Sequence, residues 1–440
     1  MRRLRRCLGL ALLVGVAFGL SSCGGGGKGA SSSVAPDCSN QAGLITSFPT
    51  PTGANFVAVT IDGGPVVSGA SIGTINQSYV TVQVCVPGTT TCQTIDHVWV
   101  DTGSVGLRLF SSGLTVSLPA ETQGLNVLAS CAQFVATYAW GAVRTADILV
   151  GGEKATSVPI QVIGDTAVPA VANAPSGCSS GTGGALTAYG TPSDMGANGL
   201  LGIGVFLQDC GPGCAGVPAP PHFYYTCTGT TGATCSPATV PTNMQVQNPV
   251  GLFPTDNNGS LLQLPSVPPQ GQATGSGYLI FGINTQSNNQ LGSALVFPAD
   301  PNFGFINTTK TYGSTSNVSS FVDSGSNAWF FDDPTLTVCP NNKDFFCSTV
   351  MLSATMSAYQ GFTGTASSHT YGFCIENLNS AFLTGTWAFN DVGGPGMAGS
   401  FDWGLPFFYG RSVFTAIESA TIPPTPINGN PPPFFAASTP

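Results

Sequence analysis

Only 7% of the 440 residues are charged, while Gly (58) and Pro (34) are abundant, a composition that excludes helical bundles and coiled coils. The same composition predicts many short strands joined by turns, and the length suffices for two lobes with substantial cores. With 20 acidic against 11 basic residues, the chain lacks the positive charge that nucleic-acid binding requires. We therefore expect a mostly β protein with no nucleic-acid partner.

Residues 1–22 have the features of a secretory signal peptide: arginines among the first six positions, an apolar run over 8–20 and small residues before Cys23. The apolar run is too short to span a membrane. Leu20-Ser21-Ser22-Cys23 resembles the lipobox of bacterial lipoproteins, which implies that Cys23 is lipidated and becomes the first mature residue. The alternative is ordinary cleavage nearby, with Cys23 as a bystander.

A flexible, Gly/Ser-rich tether over residues 23–50 would follow the lipid anchor. The lipid would be the chain's only contact with the membrane, and we expect a location in the bacterial cell envelope. Because Gly24 rather than Asp follows Cys23, we expect the outer membrane.

Twelve cysteines remain after Cys7 and Cys23, and an even number in an exported chain predicts a disulfide framework. The short spacings favour the pairs Cys85–Cys92, Cys227–Cys235 and Cys339–Cys347, and Cys210 with Cys214 could close a tight loop. The partners of four cysteines stay open: Cys38, Cys131, Cys178 and Cys374.

The first predicted strands are 54–62 and 79–86, the second with valines at alternate positions, and 94–100 returns as a hairpin partner. Cys131–Trp140 and Ala142–Val150 predict a second hairpin that turns at Gly141. Further strands are predicted over 158–163, 198–204 and 277–282, and a loop over 165–197.

We assign residues 51–290 to an N-terminal lobe and 291–422 to a C-terminal lobe. Within the first, 209–275 hold four cysteines and many prolines with little periodicity, which predicts a disulfide-clamped insertion with loops. Residues 423–440 are predicted to be a loose, Pro-rich tail.

Two distant segments share one pattern, an apolar strand followed by Asp-Thr/Ser-Gly-Ser. They are Val98-Trp99-Val100-Asp101-Thr102-Gly103-Ser104 and Phe321-Val322-Asp323-Ser324-Gly325-Ser326. A single Asp-x-Gly is usually an ordinary turn. Here each motif is followed by an apolar-apolar-Gly segment, Leu200–Gly202 after the first and the less regular Asp402–Gly404 after the second. The repetition indicates two similar lobes that each contribute one carboxylate.

With these landmarks, the chain resembles the pepsin-like aspartic peptidases from Ala54 to Glu418, in a little-characterised bacterial lipoprotein branch. The resemblance implies a mostly β, bilobal pepsin-like acid protease fold, with two related β-barrel-like lobes and a cleft between them. It also implies an aspartic endopeptidase that hydrolyses extended peptides with a water activated between two aspartates. No cofactor and no metal are implied, and we expect a monomer.

The resemblance assigns a role to each motif residue. Asp101 and Asp323 would be catalytic, Thr102 and Ser324 would link the loops, Ser104 and Ser326 would orient the aspartates, and Gly103 and Gly325 would allow close approach. The segment Phe134–Gly141 lies at the position of the family's flap, and Tyr138 matches the flap tyrosine that closes over substrate.

Two positions depart from the family pattern. Arg108 stands where the family usually has Trp, seven positions after the first Asp, and Asp402 begins the second apolar-apolar-Gly segment. These departures keep open the hypothesis of a non-catalytic, pepsin-fold binding protein of the cell surface. A third hypothesis is a surface adhesin in which the two Asp turns are coincidental.

Overall fold

The computed structural model describes residues 43–181, 184–216, 222–228, 234–269, 271–310, 316–377, 385–423 and 430–439. The predicted signal peptide, Cys23 and most of the tether lie outside these ranges. Across the described ranges, no helix combines the length and the apolar character needed to cross a membrane. The fold is mostly β, as predicted, and its short α-helices cover Ser176–Ser179, Pro192–Met195 and Leu405–Phe408.

Most of the strands before residue 240 belong to one large, curled sheet. In chain order they are β1 (Phe56–Ile61), β2 (Val66–Val67), β3 (Ala70–Ser71), β4 (Ser78–Cys85), β5 (Cys92–Asp101), β6 (Val105–Phe110), β7 (Thr122–Gln123), β8 (Asn126–Gln133), β9 (Thr137–Val150), β10 (Glu153–Ile163), β11 (Ser180–Gly181), β12 (Gly184–Ala185), β13 (Thr187–Ala188), β14 (Gly199–Ile203), β15 (Tyr224–Thr228) and β16 (Thr234–Pro237).

The remaining strands complete that sheet and form a second one. They are β17 (Gly259–Leu264), β18 (Gly275–Phe281), β19 (Leu295–Pro298), β20 (Ile306–Lys310), β21 (Ser316–Val322), β22 (Trp329–Phe331), β23 (Val338–Cys339), β24 (Asn342–Phe346), β25 (Val350–Ser357), β26 (Ser368–Ile375), β27 (Gly393–Pro395), β28 (Phe401–Trp403), β29 (Arg411–Ala416) and β30 (Phe434–Ala437). Single 3-10 turns cover Ser111–Gly113, Val171–Asn173, Gly211–Cys214, Thr242–Met244 and Pro249–Leu252.

The hairpin of β4 and β5 shows why these segments are strands. Val80, Val82 and Val84 are fully buried, whereas Thr81 between them is exposed, so the predicted alternation places one face of β4 in the core. Burial of one face also determines the register, because a shift by one residue would expose the valines.

Six antiparallel strands connect the two lobes, in the order β1, β18, β17, β29, β30 and β19. β1, β17 and β18 lie before residue 290 of the chain, and the other three lie after it. This shared sheet joins the lobes into one structure with a bilobal, pepsin-like arrangement, which agrees with the predicted fold class.

The shared sheet corrects two predictions. Residues 430–439 are not loose, because β30 pairs with both β19 and β29 and the apolar side chains of Phe434–Ala437 are buried. The segment 209–275 is not only loops, since it contains the buried strand β17 and the hairpin of β15 and β16. In both cases, long-range pairing gives a strand where prolines or cysteines had suggested irregular structure.

The local cysteine pairs predicted from spacing are confirmed, including Cys210–Cys214. Cys131 pairs with Cys178, which connects β8 to the helix Ser176–Ser179. Cys374 is also disulfide-bonded, and Cys38 lies outside the described residues. So many disulfides indicate an exported protein.

Candidate active site

The first Asp loop is built by three strands. β5 ends at Asp101, and β14 lies between β5 and β6, parallel to the first and antiparallel to the second. Gly202 of β14 is the register partner of both Asp101 and Gly106. A Cβ at Gly202 would lie 2.6 Å from the backbone nitrogen of Val105. Glycine is therefore required there for the third strand to pass behind the loop.

The second Asp loop has the same construction. β21 leads to Asp323, and β28 lies between β21 and β22, again parallel to the first and antiparallel to the second. Gly404 follows β28, and a Cβ there would lie 2.1 Å from the carbonyl oxygen of Ala328. The two apolar-apolar-Gly segments seen in the sequence are thus the supporting strands of the two loops.

Reciprocal hydrogen bonds join the loops across the lobe boundary. The Thr102 hydroxyl donates to the Val322 carbonyl (3.0 Å) and accepts from the Ser324 backbone N–H (2.9 Å). In the mirror arrangement, the Ser324 hydroxyl donates to the Val100 carbonyl (2.9 Å) and accepts from the Thr102 N–H (3.1 Å). These buried bonds hold the two aspartates at a defined separation.

Each aspartate is oriented by its own loop. Asp101 Oδ1 accepts from the backbone N–H groups of Gly103 (2.7 Å) and Ser104 (3.1 Å), and its Oδ2 accepts from the Ser104 hydroxyl. Asp323 Oδ1 accepts from the Gly325 N–H (2.7 Å), and its Oδ2 accepts from the Ser326 hydroxyl (3.0 Å).

The two carboxyl groups lie close enough to interact directly. Each also lies against the glycine of the opposite loop: a Cβ on Gly103 would be 2.6 Å from the Asp323 carboxyl carbon, and one on Gly325 would be 2.5 Å from Asp101 Oδ1. The structure thus brings together all eight motif residues named from the sequence. This contact contradicts the adhesin hypothesis, in which the Asp turns are unrelated.

Burial raises the pKa of both carboxyls, and Asp101 and Asp323 are only 2% and 0% exposed. The pKa of Asp101 is held back by bonds from Ser104, Asp323 and Gly103 to its charged form. The pKa of Asp323 rises well above its ordinary range, because the carboxyls of Asp101 and Asp402 add to the effect of burial. Two carboxyls this close do not both ionise readily, so the pair shares one proton and titrates as a unit.

Tyr138 lies in a hairpin whose turn differs from the predicted one. The hairpin of β8 and β9 turns at residues 134–136, not at Gly141, and Tyr138 is the partner of Gln133 just below the turn. Its hydroxyl donates to the Val171 carbonyl (2.9 Å) and its ring is buried, with 4% exposure. Gly141 lies inside β9, where a Cβ would be 1.9 Å from the Val162 carbonyl oxygen.

Tyr189 is the tyrosine that interacts electrostatically with Asp101, and sequence reasoning missed it. It follows β13, which pairs with β9 beside the hairpin turn, and its ring contacts Phe134 at 5.6 Å between centroids. Burial raises the pKa of Tyr189. No local pattern marked this residue, because the loop around it is rich in Gly, Ala and Ser.

Arg108 is buried in a polar network on β6. Its guanidinium donates to Gln161 Oε1 (2.8 Å) and to Asp209 Oδ2 (3.1 Å), and the Tyr224 hydroxyl donates to Asp209 Oδ1 (2.5 Å). The departure from the family pattern is thus compensated by a paired acid, which the sequence did not reveal.

With one proton between the two carboxyls, the ionised member of the pair can accept a proton and the protonated member can donate one. Within the described ranges, no group of three or more His, Cys, Asp or Glu side chains has an arrangement that could hold a metal ion.

Two comparisons with known proteins match most of the chain. Residues 51–436 match a family model described as "Protein of unknown function (DUF3443)", a range that contains both Asp motifs. No curated protein matches the chain. Among solved structures, the aspartic proteinase from Irpex lacteus is similar at 17% identity, over 88% of this chain and 97% of that one, with a TM-score of 0.49.

Proposed function

The chain belongs to the family described as "Protein of unknown function (DUF3443)", and we propose, from its paired aspartates, that it is an aspartic endopeptidase. The observation that carries the proposal is the contact between Asp101 and Asp323, two buried carboxyls that share a proton between reciprocally bonded loops. An accidental pair of turns would not need hydroxyl bonds in both directions to hold the carboxyls together.

The chemistry follows from the protonation of the pair. Asp101 takes a proton from a water molecule, whose oxygen attacks the carbonyl carbon of the peptide bond. Asp323 gives its proton to the carbonyl oxygen as that oxygen gains charge. The intermediate then collapses: the C–N bond breaks, the nitrogen takes the proton held by Asp101, and a hydroxyl proton of the intermediate returns to Asp323. The starting state is restored without a covalent enzyme intermediate.

We propose that the substrate is an extended peptide with hydrophobic side chains beside the cut bond. Support comes from the apolar cluster next to the first loop, which includes Trp99, Phe134 and Tyr189. Since both carboxyls are nearly inaccessible, the segments that cover them must move before a peptide can bind.

The same burial favours the second candidate, a non-catalytic binding protein of the cell surface. In that case the aspartates would be a structural remnant, and a peptide would be bound without being cut. The two candidates differ in one measurement, because only the peptidase releases new amino termini.

The test is cleavage of a peptide library by the purified mature chain from acid to neutral pH, with and without a statine-type inhibitor. We expect Asp101→Asn and Asp323→Asn each to lower kcat/KM by about 10³-fold, since acid–base groups contribute on the order of 10²- to 10⁴-fold. Asp147→Asn is the matched control, because Asp147 is a buried acid outside the loops, bonded to Ser157 and Lys154. Full activity in either folded loop variant would exclude the proposal.

We also propose that the protein is a monomer anchored in the cell envelope through lipidated Cys23. The support is the signal pattern and lipobox in the sequence, together with the disulfides of an exported chain. Mass spectrometry of the mature amino terminus, with Cys23→Ala as control, tests the anchor. An unmodified terminus in the wild type would refute it.

A further inference from the structure

A third buried carboxyl lies beside the pair. Asp402 is on β28 with 0% exposure, and its register partners are Phe321 on β21 and Phe330 on β22. Neither of these strands carries a titratable side chain. The titratable groups that interact with Asp402 come from the two Asp loops, namely Asp101 and Asp323. A carboxylate without a neighbouring cation in such a place is costly, so Asp402 holds its proton.

The polar side chain that Asp402 interacts with is Ser326. Within the described chain, neither carboxyl oxygen of Asp402 has a partner of ordinary hydrogen-bond geometry, so this contact is longer or less well aligned than a standard bond. The Ser326 hydroxyl in turn donates to Asp323 Oδ2 at 3.0 Å. One serine hydroxyl therefore stands between two carboxyl groups.

A hydroxyl has one proton and can donate it to one acceptor at a time. While Asp402 is protonated, it can donate to Ser326, and Ser326 donates to Asp323. If Asp402 ionises, the Ser326 hydroxyl turns toward it, and Asp323 loses a donor and gains a negative neighbour. The charge on Asp402 thus determines which way Ser326 points.

The fold itself does not require an acid at this position. In the other lobe the equivalent place, opposite Trp99 and Arg108, is occupied by Leu200. An unpaired buried acid is destabilising, and a leucine serves the same structural purpose in the first loop.

We propose that Asp402 is a third, protonated acid of the site, a positioning residue that holds the Ser326 hydroxyl toward Asp323. The chain Asp402–Ser326–Asp323–Asp101 then keeps the shared proton of the pair in one defined arrangement. The consequence for catalysis rests on the proposed peptidase function, whereas the proton arrangement does not.

The test is a pH titration of aspartate carboxyl carbons by NMR in the full mature chain, with aspartates ¹³C-labelled. In the wild type, the Asp402 signal stays at the position of a protonated acid at neutral pH, where an aspartate in a short unstructured peptide has ionised. Asp402→Leu removes the donor, and the first titration step of the pair moves up by about one pH unit. Asp402→Asn keeps an N–H donor of the same shape, and that step moves much less.

Ser326→Ala provides a second route if the leucine variant fails to fold. It should shift the first step as Asp402→Leu does, and adding Asp402→Asn to it should have no further effect. The proposal is overturned if Asp402 titrates like an aspartate in a short unstructured peptide, or if the leucine and asparagine variants leave the pair's titration unchanged or shift it equally. If the titration shifts occur but no peptide is cleaved, the peptidase function is refuted and this proposal stands. If peptide is cleaved without the titration shifts, this proposal is refuted and the peptidase function stands.

Discussion

The two Asp loops have nearly the same sequence, but the strands that support them differ in polarity at one position. β14 brings Leu200 opposite Trp99 and Arg108, whereas β28 brings Asp402 opposite Phe321 and Phe330. In the first lobe the charged residue lies on the outer strand and has a partner acid. In the second lobe it lies on the middle strand, close to the aspartate pair.

Because of this difference, the two aspartates have different electrostatic surroundings in two structurally similar lobes. The carboxylate of Asp101 is stabilised by Ser104 and Gly103, whereas Asp323 has Asp402 as an additional acidic neighbour. Burial raises the pKa of both carboxyls, and the neighbouring acids contribute to the rise for Asp323. Residues outside the two motifs thus give two otherwise equivalent loops different electrostatic surroundings.

The largest stability effect is expected at the buried ion pair of the first lobe, Arg108 with Asp209. Arg108→Leu leaves Asp209 buried without its cation, which should cost about 3–5 kcal/mol of unfolding free energy. The corresponding change in the other lobe, Phe330→Leu, should cost only about 1 kcal/mol. Urea unfolding measures both. Adding Asp209→Asn to Arg108→Leu should recover part of the loss, and no recovery would contradict the importance of this ion pair.

The next effect concerns the close approach of the loops. Gly103→Ala and Gly325→Ala each place a Cβ within 2.6 Å of the opposite carboxyl, so both should cost about 1–3 kcal/mol and abolish most cleavage. Gly113→Ala is the control, because a Cβ there has no atom within 4 Å. Thermal unfolding and peptide cleavage are the measurements. A tolerated alanine at either loop glycine would show that the carboxyls lie farther apart.

A smaller effect is expected for the cross-lobe hydroxyls. Thr102→Val leaves the Ser324 N–H without its acceptor, and Ser324→Ala leaves the Thr102 N–H without its own, so each should cost about 1–3 kcal/mol. Because both residues belong to one network, the double variant should cost less than the sum. The measurement is the unfolding free energy of the two single variants and of the double variant, with exposed Thr89→Val as control. A cost of the double variant equal to the sum of the single costs would show that the two hydroxyls act independently.

The smallest expected effect is a slope of stability with pH. Burial raises the folded pKa of Asp323 above the ordinary value of 3.8, so between these values the folded state holds more protons than the unfolded state. Stability should therefore fall as pH rises through that window. Asp323→Asn should flatten the slope more than Asp101→Asn does. Thermal unfolding across acid and neutral pH measures it, and a slope of opposite sign would contradict the protonation scheme.

The local features were predictable because each depends on a few neighbouring residues. The disulfide Cys85–Cys92 closes a hairpin whose length is visible in the spacing, and the valines of β4 alternate in the sequence as they do in the structure. Features that depend on distant partners were not predictable. Phe434 and Phe435 follow a run of prolines and were assigned to a tail, although two remote strands pair with them.

The residues of the candidate site also divide into those that the sequence could predict and those that it could not. Its eight motif residues could be named from the sequence, because the Asp-Thr/Ser-Gly-Ser pattern occurs twice and resembles that of the pepsin-like aspartic peptidases. The position of Tyr138 could not, because Gly141 suggested a turn that burial against Val162 places inside a strand. Tyr189 had no signal at all, because its role depends on a loop that packs beside the hairpin.

The sequence by itself determined a mostly β chain with two equivalent Asp loops, because strand periodicity and turn chemistry act over a few residues. Only the tertiary structure decided that the carboxyls meet, that burial raises their pKa values and that Asp402 lies beside them. Those properties come from burial and from the distances between groups far apart in the chain, and the pKa of a carboxyl responds to both.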